Sequence, residues 1–177
     1  MFRIGFFISA ILPDTIETDQ TSEDRLVLVG TSMKIEKVIN NNVVSALEDG
    51  REVVVMGKGI GFQLRAGMDI PEELIEKVFR LDNPGVMDQF KNLIQKLPPE
   101  RLQISAEVIQ YAKGVMNKKL NHNIYLTLTD HINFAIERYQ KKMLFGNPLL
   151  REVRTFYREE YLIGTFALDL IERRLGI

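Results

Sequence analysis

Between Lys34 and Met56 the apolar positions recur at the short period of strands, and beyond Val86 they recur at the longer period of helices. Lys34–Ile39 alternates charged residues with Ile35, the mark of a short half-buried strand. Asn40-Asn41-Asn42 follows as a turn, because asparagine tolerates positive φ and bonds its own backbone. Val43–Leu47 is a second strand pattern, and Asp49-Gly50 is the pair that a type I′ hairpin turn prefers. Glu52–Met56 is a third, with Val53, Val54 and Val55 in one apolar run. Such a run demands burial on both faces, which one small sheet does not offer. A unit of this size also buries little surface by itself. Together these predict an obligate homodimer that covers the second face of the valine run.

Gly57-Lys58-Gly59, with Gly61, breaks the third strand and would let backbone amides approach a ligand closely. Pro71 opens a further amphipathic piece over Glu73–Leu81, and Asp82-Asn83-Pro84-Gly85 is a dense turn cluster that reads as a domain boundary. Five helical patterns come next. Val86, Phe90, Leu93, Ile94 and Leu97 mark the first, stopped by Pro98-Pro99; Ile104, Val108, Ile109, Ala112, Val115 and Met116 mark the second. Ile124, Leu128, His131, Ile132 and Ala135 share one face of the third, Asn147-Pro148 caps the fourth, and Phe166, Ala167, Leu170 and Ile171 carry the fifth, which ends near Gly176. The expected fold class is therefore α+β in two domains, a small antiparallel sheet followed by an all-α bundle.

Composition narrows the choices. The 177 residues, 45% hydrophobic and 27% charged, are those of a soluble globular chain. Without cysteine there is neither a disulfide nor a thiolate metal site, which agrees with a reducing cytoplasm. No apolar run reaches the roughly eighteen residues that span a bilayer. The opening MFRIGFFISAIL has the length of a signal peptide, but no small-residue cleavage pattern follows it, so residues 1–32 read as an upstream extension or added leader. Charge is uneven: residues 33–88 carry seven basic and ten acidic side chains, net −3, and residues 89–177 carry fourteen and nine, net +5. An acidic first domain excludes a bulk electrostatic nucleic-acid binder, so any RNA must be held by a few placed contacts.

Those contacts have a candidate surface in Asn40–Asn42, Lys58 and the adjacent Phe62-Gln63. Amide side chains read base edges, phenylalanine stacks on an unpaired base, and lysine meets phosphate. The blander reading makes these turns mere hairpin closures with Phe62 in the core. His131 is either a packed histidine or a phosphoacceptor, since a neutral imidazole is nucleophilic. His122, in the Asn121-His122-Asn123 loop, reads as plain surface. Two histidines nine positions apart have no standard metal-ligand spacing, and no Walker loop or Rossmann fingerprint occurs. Glu159-Glu160 and Arg173-Arg174 read as solvated faces.

The strings KIEKVINNNVV, VVVMGKGIGFQ and IEKVF resemble the co-antiterminator RNA-binding domain of BglG/LicT-type transcriptional antiterminators. LTLTDHINFAIER is similar to the segment around the first regulatory histidine of their first phosphotransferase-system regulation domain. The resemblance divides the chain into residues 1–32 of unknown role, an RNA-binding domain over 33–88 and a truncated first regulation domain over 89–177. It implies a four-stranded antiparallel sheet that dimerises into a barrel-like assembly and holds an RNA hairpin in an mRNA leader, preventing a terminator from forming in sugar-utilisation operons. It places the RNA contacts on Lys37, Asn42, Gly57, Lys58, Phe62 and Gln63, with Lys58 where arginine is frequent. His131 would take phosphate from phosphotransferase-system proteins, HPr and a sugar-specific enzyme II. No cofactor, metal, membrane partner or catalytic activity is implied. The resemblance stops at Ile177, before a second regulatory histidine, so impaired regulation and uncovered apolar bundle surface are expected. The alternative is a phosphotransfer or protein-interaction module that binds no RNA; a hydrolase built on His131 and Asp130 is disfavoured, because adjacent residues on a helix do not face each other.

Overall fold

The computed structural model describes residues 33–81, 83–116, 120–121, 123–143 and 149–177. The expected extension over 1–32, Asp82, His122 and the Asn147-Pro148 cap lie outside the described residues. The described chain forms two compact units that divide between Lys96 and Leu97.

In the first unit, β1 (Lys34–Asn40), β2 (Val43–Glu48), β3 (Arg51–Met56) and β4 (Lys77–Phe79) form one antiparallel sheet in the order β1-β2-β3-β4. Asp49 and Gly50 have φ of 49° and 77°, the paired positive values of the expected type I′ turn. Their geometry fixes the β2–β3 register, Glu48 opposite Arg51 and Val43 opposite Met56. β1 is less regular, with register shifts between Ile35 and Lys37 and between Val38 and Asn40. The fourth strand falls within the stretch that reads as one amphipathic piece, where a 3-10 turn over Glu72–Leu74 precedes it.

One sheet face carries Ile35, Val44, Ala46, Val53 and Val55 and packs with Ile60, Leu64 and Ile70 into a core. The opposite face carries Val43, Ser45, Val54 and Phe79. Helix α1 (Ile60–Gln63) closes one end of the sheet, and helix α2 (Pro84–Lys96) lies over that opposite face. Asn83 Oδ1 accepts from the Gly85 amide at 2.8 Å, and Pro84 takes the first helical position, so the turn cluster starts α2. α2 buries Met87, Phe90 and Ile94, one helical stripe, with the Phe90 ring centroid 5.3 Å from that of Phe79. Lys91 Nζ reaches Glu52 at 2.7 Å, and Asn40 Nδ2 donates to the Ile94 carbonyl at 3.4 Å.

This packing bears on two expectations. The compact unit runs past the 82–85 turn to Lys96, because the apolar stripe of α2 packs on the sheet. The valine run does demand cover on both faces, but Val54 is 0% exposed within a single chain. α2 supplies that cover, so the run gives no argument for a second copy.

The second unit contains α3 (Pro99–Met116), α4 (Ile124–Gln140), α5 (Leu150–Phe156) and α6 (Arg158–Leu175). α3 packs against both α4 and α6 through Ile104, Val108, Ile109 and Ala112. Tyr111 stacks on Phe166 with centroids 4.1 Å apart. The helix before Pro98-Pro99 stops at Lys96 as expected, and Pro99 is also the first residue of α3, where its missing N–H costs nothing. α6 ends as expected at Gly176, whose φ of 65° and bond from its amide to the Glu172 carbonyl form a left-handed cap.

Candidate nucleic-acid interface

At the end of the sheet, the β1–β2 turn and the glycine loop after β3 are bound to each other by backbone and asparagine groups. The Asn42 amide donates to Asn40 Oδ1 at 2.9 Å, an Asx turn that shapes the asparagine triplet. The Gly57 amide donates to the Asn42 carbonyl at 2.9 Å, the Gly59 amide to Asn42 Oδ1 at 2.8 Å, and the Gly61 amide to the Asn41 carbonyl at 3.0 Å. Three of the four loop residues from Gly57 to Ile60 are thus fixed through their amides, since Ile60 also donates to the Gly57 carbonyl at 3.2 Å.

The glycines have a different use from the one their spacing suggests. A Cβ on Gly57 would lie 1.8 Å from the Leu74 carbonyl oxygen, and one on Gly61 would lie 2.0 Å from that of Asn40. Both positions let the chain approach itself closely, and their amides donate within the unit. Gly59 has φ of 69°, the left-handed region in which glycine is least strained. The result is a rigid platform, and what it displays is side chains.

Phe62 is 75% exposed on α1, which excludes it from the core. An aromatic ring held in water on a fixed helix loses hydration cost only when something stacks on it. Lys58 and Gln63 are exposed beside it on the same loop and helix. Asn42, Gly57, Lys58, Phe62 and Gln63 are therefore gathered at one end of the sheet. Gly57 is buried, and Asn42 is half-buried with its Oδ1 committed to Gly59. Lys37 is exposed on β1 opposite Ser45, and no hydrogen bond ties it to the loop cluster. The acidic character of the segment is locally muted, because Arg80 holds Glu48 through two bonds of 2.7 Å and Lys91 holds Glu52. Ser45, 2% exposed, donates to Glu52 Oε1 at 2.6 Å and completes that half-buried polar link.

Two features have no sequence signature. Arg65, just past α1, donates from Nη1 to the carbonyls of Phe62 and Leu64 at 3.1 and 3.0 Å. In the helical unit, Arg101 of α3 bonds Asn133 Oδ1 and Gln140 Oε1 and lies 3.7 Å from Glu137. Both depend on pairings that only the fold brings together.

His131 is half-buried on α4 at the edge of the stripe formed by Leu128, Ile132 and Ile136. Among the described residues no group of three or more histidine, cysteine or acidic side chains is placed to hold a metal, and no helix is long and apolar enough to cross a membrane.

Residues 33–87 match a family described as CAT RNA binding domain, and residues 106–177 match the PRD domain. The chain is 50% identical over 146 residues to the transcription antiterminator LicT of Bacillus subtilis (strain 168), covering 82% of this chain and 53% of that protein. It is 40% identical over 146 residues to the beta-glucoside operon antiterminator of Dickeya chrysanthemi, covering 82% and 52% respectively. Among solved structures it superposes on the crystal structure of GlcT CAT-PRDI with a TM-score of 0.73 at 37% identity, over 82% of this chain and 88% of that one. The chain spans about half the length of the curated relatives it matches.

Proposed function

Because this chain belongs to the family of transcription antiterminators that join a CAT RNA binding domain to a PRD domain, we propose that it binds a hairpin in an mRNA leader and so keeps a terminator from forming in a sugar-utilisation operon. The observation that carries this reading is the fixed platform with Phe62 presented to solvent between Lys58 and Gln63. Stacking supplies affinity without much positive charge, which suits a segment of net −3. His131 is the proposed phosphoacceptor for phosphotransferase-system proteins, and it meets the first requirement of that role by lying at the edge of a packed stripe instead of inside it. The chain works in the cytoplasm and has no catalytic activity of its own.

The resemblance further implies a two-fold dimer. With α2 over the Val54 face, a second copy either uses another surface or displaces α2. Sedimentation equilibrium with and without hairpin RNA decides whether a dimer forms at all.

The test of the reading is Phe62→Ala in the whole chain. Removing one stacking partner costs about 1–3 kcal/mol, or roughly five- to 150-fold in affinity. Gel-shift titration against a panel of terminator-overlapping leader hairpins should show that loss with an unchanged melting temperature. Equal affinity in both proteins would refute this surface as the RNA-binding one.

A further inference from the structure

We propose that Arg65 is an additional RNA contact, its guanidinium gripping a phosphate of the nucleotide that stacks on Phe62; the inference rests on the hairpin reading above. Arg65 stands three residues beyond Phe62 on a turn that is itself tied down. Its amide donates to Met68 Sδ at 3.3 Å, and the Met68 amide returns to the Arg65 carbonyl at 3.1 Å. The turn is bonded to β1 by Gly67 N to the Ile35 carbonyl at 2.8 Å and Ile35 N to the Met68 carbonyl at 2.9 Å. The base of the side chain is therefore as rigid as the sheet.

The exposed side chain is also oriented. A guanidinium has five N–H groups. Both hydrogens of Nη1 are occupied by the carbonyls of Phe62 and Leu64, at 3.1 and 3.0 Å. This leaves Nε and Nη2, whose hydrogens point in parallel from one edge and match two oxygens of a carboxylate or phosphate. The same edge is used elsewhere in this unit, where Arg80 Nε and Nη2 each reach a Glu48 oxygen at 2.7 Å. At Arg65 no described carboxylate fills that position: it forms no ion pair with any other described residue. An open bidentate edge anchored on the carbonyl of an exposed aromatic residue lies where the backbone of a stacked nucleotide must pass.

Charge supports the assignment. In a segment with an acidic excess, Glu48 and Glu52 are neutralised by Arg80 and Lys91. Among the described cations without such a partner (Lys34, Lys37, Arg51, Lys58, Arg65 and Lys96), Lys58 and Arg65 stand nearest in sequence to Phe62.

The alternative is that Arg65 only caps the carbonyls of α1. The two roles separate by salt dependence in the full chain, with wild type, Arg65→Gln and Arg65→Lys titrated against the same leader hairpins over a range of KCl. A phosphate contact predicts about tenfold weaker binding for Arg65→Gln, with the slope of log K against log salt smaller by about 0.7–0.9. Arg65→Lys should restore the slope but not all of the affinity, since lysine lacks the fork. Unchanged affinity and slope in Arg65→Gln, or weaker binding with an unchanged slope, would overturn the proposal. A wild-type chain that bound no hairpin would instead sink the hairpin reading itself, and this inference with it.

Discussion

Asn42 has a role in the fold and a second, proposed role in RNA binding, and a pair of substitutions separates them. Its Oδ1 accepts the Gly59 amide at 2.8 Å, a bond that fixes the glycine loop, while its Nδ2 is the group that RNA recognition would use. Asn42→Ala removes the acceptor and leaves the Gly59 amide without its partner. An orphaned amide costs about 1–3 kcal/mol when buried, and Gly59 is half-buried, so about 1–1.5 kcal/mol is expected. For a unit of this size that lowers the melting temperature by roughly 5–10 °C. Asn42→Asp keeps an oxygen where Oδ1 stands, so the loop should survive with stability within about 0.5 kcal/mol of wild type. It replaces the Nδ2 donor by a carboxylate facing phosphates, which should weaken hairpin binding by at least about tenfold. Amide exchange of Gly59 reads the first effect directly, with protection kept in Asn42→Asp and lost in Asn42→Ala. Gel shifts read the second. If Asn42→Asp bound RNA like wild type, Asn42 would be scaffold only; if Gly59 stayed protected in Asn42→Ala, the stitch would be wrong.

Three further outcomes follow from the geometry. Gly61→Ala forces a Cβ to within 2.0 Å of the Asn40 carbonyl oxygen and 2.8 Å of Val38 Cγ1, so urea unfolding should show a loss of about 2–4 kcal/mol, whereas Gly114→Ala, in helix α3 with nothing within 4 Å, should gain about 0.5–1 kcal/mol. For Lys91, burial lowers the pKa, but hydrogen bonds and charges from Asp88 and Glu52 outweigh it, leaving the group above its ordinary 10.5. A raised pKa stabilises the fold fully below the unfolded value and loses that contribution as pH climbs through the folded one, so the stability gap between wild type and Lys91→Met should hold up to about pH 10 and narrow above it in denaturant titrations. Incubation with phosphorylated HPr should label the wild-type chain and leave His131→Ala unlabelled; equal labelling would move the phosphoacceptor elsewhere.

How far the chain could be read without coordinates depended on whether the decisive contact was local. The type I′ turn at Asp49-Gly50 was legible because its two residues carry the whole conformational preference. Helices α3, α4 and α6 of the second unit were legible because an apolar stripe recurs within each. β4 was not, since three residues show no periodicity and Lys77–Phe79 became a strand only by pairing with Met56, Val55 and Val54. The same limit explains the glycine loop. Gly57 and Gly61 are required by the carbonyls of Leu74 and Asn40, seventeen and twenty-one positions away, which spacing does not reveal.

The valine run shows how one physical demand can be met in more than one way. Three consecutive valines demand two covered faces, and that demand is met, but a sheet of known strands says nothing about what arrives on the second face. The helix beyond the turn cluster has a stripe of Met87, Phe90 and Ile94 that needs an apolar surface of its own, and two such needs inside one chain satisfy each other. Beneath that helix lies a polar link, Ser45 to Glu52 to Lys91, in place of a wholly apolar seam. The ion pair is half-buried and Lys91 also holds Asp88 at 2.8 Å, so losing Glu52 strands no charge but removes the tie from α2 to the sheet. Glu52→Gln should accordingly loosen α2 modestly, through the lost bond to Lys91, and raise exposure of the Val54 face. Tryptic cleavage at Lys91 or Lys96 reports that loosening. Cleavage no faster than in wild type would mean that Phe79 and Phe90 hold the helix without help from the charges.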